Sequence, residues 1–151
     1  MSEQHPIVED DVLGPLTRAV TALEDGDVLV HDWYAGTVAV DGHELDLMLE
    51  GTTPDVIAPL LPRVRETVSR LGTLTRTASD AVVTRFSTGE PEPHELDDAA
   101  SDLVLETIEA AADGTIILHF TDDCGDHFPD GYWPAVHLGP DGAVENVTVE
   151  S

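Results

Sequence analysis

The sequence predicts a single α+β domain in which an antiparallel sheet, built from hairpins at the N- and C-terminal ends, packs against a long central helix. Three observations carry this prediction. Apolar residues recur with a period of two, then about 3.6, then two again. Asp-Gly pairs at Asp41-Gly42, Asp113-Gly114 and Asp141-Gly142 each separate two β-rich runs, which is the strongest short hairpin signal. The 151 residues, 41% of them hydrophobic, suit one buried core, so the domain is expected to span 1–151.

Residues 1–10 carry little apolar patterning and read as a flexible tail. The start, Met1-Ser2-Glu3-Gln4-His5-Pro6, has neither the basic region nor the apolar run of a secretory signal, and no apolar stretch approaches the ~20 residues of a membrane helix. With Cys124 as the single cysteine, no internal disulfide can form, and a cytoplasmic setting is expected. Val12 to Val20 is weakly patterned and fits strand or helix. The β-rich run His31 to Val40 is predicted to meet Glu44 to Leu49 across Asp41-Gly42.

From Thr53 the period becomes helical. Val56, Leu60, Val64, Val68, Leu71, Ala78 and Val82 form one apolar stripe, which predicts a long helix over about 54–86. Thr53 can cap it, with Pro54 at its first position. Pro59 and Pro62 each lack an N–H, so regular helix is expected only from about Pro62, and Gly72 is the expected point of division. Ser87 to Pro93 reads as a loop, followed by a short helix near 94–101. Residues 103–112 fit strand or helix. The strand is preferred, because Asp113-Gly114 then joins it to Thr115–Phe120. Tyr132–Leu138 and Ala143–Glu150 form the last hairpin.

This arrangement resembles the small α+β bacterial domains of unknown function that occur as single genes and near toxin immunity genes. The resemblance rests on Leu13-Gly14-Pro15-Leu16, on Trp33-x-x-Gly36-x-Val38, on the Asp41-Gly42 turn, on the central helix and on the terminal Asp141-Gly142 hairpin. Such families carry no agreed catalytic residues, so the resemblance transfers no site residue, and it links the chain to immunity proteins by association rather than by mechanism.

Charge bounds the function more tightly than any motif. The chain holds 31 acids, six arginines and no lysine, for a net charge of −25. A surface this negative cannot grip phosphate backbones or anionic lipid, so direct nucleic-acid binding and membrane binding are not expected. The charge is also uneven. Residues 1–85 hold 15 acids and all six arginines, whereas residues 86–151 hold 16 acids and no arginine. Adaptation to salt accounts for general acidity but does not obviously sort it this way.

Candidate chemistry concentrates between His119 and Trp133. Phe120, Phe128, Tyr132 and Trp133 are four of only seven Phe, Trp and Tyr residues. With Asp122, Asp123, Asp126 and Asp130 around them, Tyr132 and Trp133 form an expected surface for a basic protein partner. As neighbours on a strand they should point to opposite faces, one entering the core. The same segment offers a divalent metal the ligands His119, Asp122, Asp126 and His127; no other cofactor is expected. It lacks the paired spacing of a zinc site, and counting from Asp122 places Cys124 and His127 where a calcium loop needs an oxygen ligand and a glycine. Cys124 near His127 is a poor nucleophile, since the surrounding aspartates disfavour the thiolate. No Gly-x-Ser-x-Gly, phosphate-binding glycine loop or His-Glu-x-x-His occurs. The expected function is therefore a non-enzymatic acidic interaction protein, of the immunity or antitoxin kind. The alternatives are a metal-assisted hydrolase using the 119–130 loop, and an acidic mimic of nucleic acid.

Overall fold

Eight strands form one sheet in chain order in the computed structural model, which describes residues 6–122 and 131–150. They are β1 (Val8–Asp10), β2 (Gly14–Ala22), β3 (Val28–Val40), β4 (His43–Glu50), β5 (Leu103–Ala110), β6 (Ile116–Asp122), β7 (Trp133–Leu138) and β8 (Val144–Glu150). Every neighbouring pair is antiparallel except β4 and β5, which run parallel with Leu47 opposite Ile108. A parallel pair needs a crossover, and here it contains all the helices: α1 (Pro54–Ile57), a 3₁₀ turn (Ala58–Leu60), α2 (Leu61–Ser69), α3 (Leu71–Phe86) and α4 (Pro93–Asp102). The class is α+β, with strands dominant. The first strand lies inside the stretch read as a tail, since Val8 pairs with Leu16.

The predicted long helix over 54–86 is instead a series of segments, for reasons written in its residues. Thr53 Oγ1 accepts from Val56 N–H at 3.3 Å and Pro54 occupies the first position of α1. Pro59 and Pro62 then fall in the first turns of the 3₁₀ segment and of α2, where a missing N–H costs nothing. The division between α2 and α3 comes at Arg70 rather than Gly72. Just before it, Thr67 Oγ1 donates to the Arg63 carbonyl at 2.9 Å and Ser69 Oγ to that of Glu66 at 2.7 Å. Hydroxyls that bond back to helix carbonyls in this way bend helices, as those of Ser79 and Thr84 can do within α3 without ending it. No helix among the described residues is long and apolar enough to cross a membrane.

The core lies between the helices and one face of the sheet. On β4, Leu45, Leu47 and Leu49 are buried while Glu44, Asp46 and Glu50 are exposed, the period-two alternation of a sheet covered on one side. Ile108, Leu118, Phe120, Val136 and Leu138 extend the same buried surface across β5 to β7, against Ile57, Val64, Leu74, Ala78 and Val82 from the helices. Each large aliphatic side chain contributes about 1.5–3 kcal/mol on leaving water. At the Asp41-Gly42 turn both φ angles are positive, 53° and 78°. That is the twist a two-residue hairpin loop requires.

Arg63 ties the far half of the sheet to this crossover. From α2 it donates to the carbonyls of Gly114 at 3.2 Å, Gly139 at 3.0 Å and Pro140 at 2.9 Å. One guanidinium thus holds both the β5–β6 and β7–β8 turns against the helix layer.

Candidate functional site

The same alternation that buries one face of each strand presents the other face, and among the described residues no helix packs on it. Pairing registers place its side chains. Trp33, Ala35 and Thr37 of β3 stand opposite Glu50, Met48 and Asp46 of β4. Asp46 and Met48 in turn pair with Thr107 and Glu109 of β5. A register shift at Glu106 restores this phase after Leu105, so that Thr107 meets His119. Ala135 lies beside His119, and Trp133 and Ala135 lie beside Glu150 and Thr148. Both tryptophans of the chain therefore project from this open face, more than 90 positions apart in sequence.

Three strands cooperate at its centre. His119 on β6 is half-buried and stands diagonally between Glu109 on β5 and Trp133 on β7, a spacing that long side chains can bridge. Trp133 Nε1–H donates to His119 Nδ1 at 3.0 Å, and His119 Nε2 is 2.8 Å from Glu109 Oε1. An indole nitrogen can only donate, so Nδ1 is the acceptor and Nε2 carries the proton given to Glu109. Met48 and Thr107 complete a cleft of about 370 Å³ around this group. A second hollow of about 510 Å³, lined by Pro15, Ala35, Thr37 and Asp46, shares Met48 and Thr107 with it.

A parallel relay runs along the edge of the sheet. Thr148 Oγ1 donates to Glu150 Oε1 at 2.9 Å and lies 3.1 Å from His137 Nε2. Because the single hydroxyl proton goes to Glu150, His137 Nε2 is the donor to Thr148. At the other end of the face His31 stacks on Trp33, with ring centroids 4.4 Å apart, and its Nε2 is 2.7 Å from Thr21 Oγ1.

Electrostatically the face is one-sided. Glu44, Asp46, Glu50, Glu109 and Glu150 project from it, with Glu106 at the bulge, and no arginine does. The arginines are committed elsewhere. Arg18 binds the carbonyls of His31 and Thr52, Arg63 the two turns, Arg65 pairs with Asp10, Arg70 with Glu66, and Arg76 with Asp80 and Asp97. Arg85 lies over the Phe86 ring.

Of the partner surface expected from the sequence, the structure brings only Trp133 to this face. Tyr132 is half exposed beside the helices, and Asp122 ends β6 opposite Leu103, on the helix side. Asp123, Asp126 and Asp130 lie outside the described residues. Tyr132 and Trp133 do part to opposite faces, Tyr132 lining a groove with α3 and α4 and Trp133 meeting His119, but neither is wholly buried. Among the metal ligands expected, His119 has both ring nitrogens engaged, Asp122 is remote from Glu109, and Asp126 and His127 fall outside the described residues. No group of three or more metal-binding side chains is gathered among the described residues.

No family model, no curated protein and no solved structure matches this chain. Its chemistry has to be read from the face itself, which offers carboxylates that only accept, broad indole and thioether surface, and hydroxyls. Sequence reasoning missed Trp33, Met48, Glu109, His137 and Glu150. A signal for them existed in strand parity, since each stands at an odd step from a buried neighbour on its own strand.

Proposed function

We propose that this protein is a non-enzymatic binding protein for a basic protein partner, which it engages on the open face of the sheet. The observation that supports this reading is the sorting of charge. Carboxylates from β4, β5 and β8 share that face with Trp33, Met48 and Trp133, while every arginine is held elsewhere. Arginine side chains of a partner would find carboxylates for their guanidinium groups and indole rings to stack on. Aromatic anchors ringed by charge are the usual make-up of an interaction hot spot. A partner that must be held tightly and found quickly gains from such a field, since steering by opposite charge raises association rates.

Both tryptophans report on this face, so intrinsic fluorescence follows its occupancy. An arginine-glycine repeat peptide titrated into the protein is expected to shift tryptophan emission, with an affinity that falls as salt rises. The combined variant E44Q/D46N/E106Q should weaken binding roughly five- to ten-fold, taking each exposed pair at about 0.3–0.5 kcal/mol. The matched variant D55N/E90Q/E92Q, which removes as many acids from the crossover side, should leave it nearly unchanged. Equal losses from both variants would show only the pull of a highly acidic molecule and would sink the reading.

A further inference from the structure

On the opposite side of the sheet, residues of α3, α4 and the end of β8 line a groove of about 670 Å³. We propose that this groove is a binding site for an amphipathic organic cation, a small molecule with an apolar or aromatic body and one positive charge. It is separate from the open face and does not depend on the partner reading given above.

Four features of the groove define the ligand. Its volume lies within the range of small-molecule sites, about 300–1,000 Å³. Its floor is apolar, with Val82 and Leu103 almost wholly buried. Its walls include Phe86 and Tyr132, which are 48% and 50% exposed although both are large rings. Two such rings lining one hollow give it the aromatic wall common in small-molecule sites. Finally, the carboxylates that line it are Glu95 and Asp98, beside the Tyr132 phenol and the Ser87 hydroxyl.

These two carboxylates are what select a cation. They stand three positions apart on α4 and so share one helix face. Asp97, between them, turns to Arg76 at 2.8 Å. Glu95 and Asp98 make no ion pair or side-chain hydrogen bond with any described residue. Arg85 stacks on Phe86 but does not line the groove. An anion would meet repulsion here, and a neutral apolar molecule would leave both carboxylates without a counter-charge. A cation with an apolar body satisfies the floor, the rings and the acids together, with the ring faces adding cation–π attraction.

The test titrates the full chain with three fluorescent probes of similar size: the benzothiazolium cation thioflavin T, neutral N-phenyl-1-naphthylamine, and the anion 8-anilinonaphthalene-1-sulfonate. The cation is expected to bind saturably at one site and more tightly than the other two. E95Q/D98N should weaken it about five-fold, towards the affinity of the neutral probe, which is the scale of two exposed charge pairs. F86A should weaken the cation and the neutral probe alike. Both variants alter exposed positions, and circular dichroism checks that the fold is kept. Equal affinity for all three probes, or cation binding that neither variant weakens, overturns the proposal. So does the absence of saturable cation binding, whether a second copy or another segment of chain fills the groove.

Discussion

Trp133 Nε1–H donates to His119 Nδ1 at 3.0 Å, which fixes the imidazole as the tautomer with its proton on Nε2, directed at Glu109 2.8 Å away. Two side chains on neighbouring strands thus settle a proton position that the histidine alone leaves open.

The first prediction concerns that proton. Nitrogen-15 spectra of the His119 ring at neutral pH should show Nε2 protonated and Nδ1 bare. Because the Trp133 indole N–H is held by His119 Nδ1, its proton signal should shift when H119A removes that acceptor. H119A should cost about 1 kcal/mol, the net worth of a typical hydrogen bond, since water can reach part of the site. H119Q should recover some of it, because a carboxamide can accept from Trp133 and donate to Glu109. A ring protonated on Nδ1 at neutral pH would refute the arrangement.

The second prediction concerns Arg63, whose guanidinium donates to Gly114, Gly139 and Pro140 across two turns. R63A leaves three carbonyls short of a donor and detaches the β5–β6 and β7–β8 turns from α2. The expected loss is about 2–4 kcal/mol, read by urea denaturation, since hydrogen bonds to a charged group are worth about 1.5–3 kcal/mol each and water replaces part of them. R63K should restore little, because an ammonium point charge cannot span three acceptors set out for a planar fork. Full stability in R63K would show that charge alone, not geometry, holds the turns.

Local features of this fold were legible in the sequence where short-range chemistry decides them. Asp41-Gly42, Asp113-Gly114 and Asp141-Gly142 mark turns because Gly42, Gly114 and Gly142 adopt positive φ, and Thr53-Pro54 opens a helix because cap and fixed φ suit that position. Where two short-range effects competed, the reading erred. The apolar stripe over 54–86 suggested continuity, but the backbone leaves the helical region at Arg70, where φ is −115° and ψ 20°. Pairings between distant segments were out of reach. The parallel match of Leu47 to Ile108 depends on a crossover of more than 50 residues returning in one register. For the same reason the open face could not be assembled from the sequence. Glu109, His119 and Trp133 meet only because three strands align their diagonals, and the His119–Trp133 segment looked self-contained when its working partners lay on β3, β4 and β5.

The last prediction follows Asp10, which fastens the first strand pair to the helices. Its Oδ2 accepts from Val12 N–H at 2.9 Å and Leu13 N–H at 3.0 Å, and its Oδ1 accepts from Arg65 Nε at 2.9 Å. Burial alone would raise its pKa, but these donors and the charge of Arg65 outweigh burial and hold it below the ordinary 3.8. A carboxyl depressed in the folded state binds protons more readily when unfolded. Its stabilising contribution is therefore complete above about 3.8 and is lost as pH falls through the lower folded value. D10N keeps an oxygen for the two backbone N–H groups but loses the charge facing Arg65. It should be less stable than the parent at neutral pH, with the difference narrowing in acid. D10A loses both and should be weaker than D10N at neutral pH. Urea midpoints at neutral and acid pH decide it, and a D10N deficit that stays constant or grows in acid would contradict the assignment.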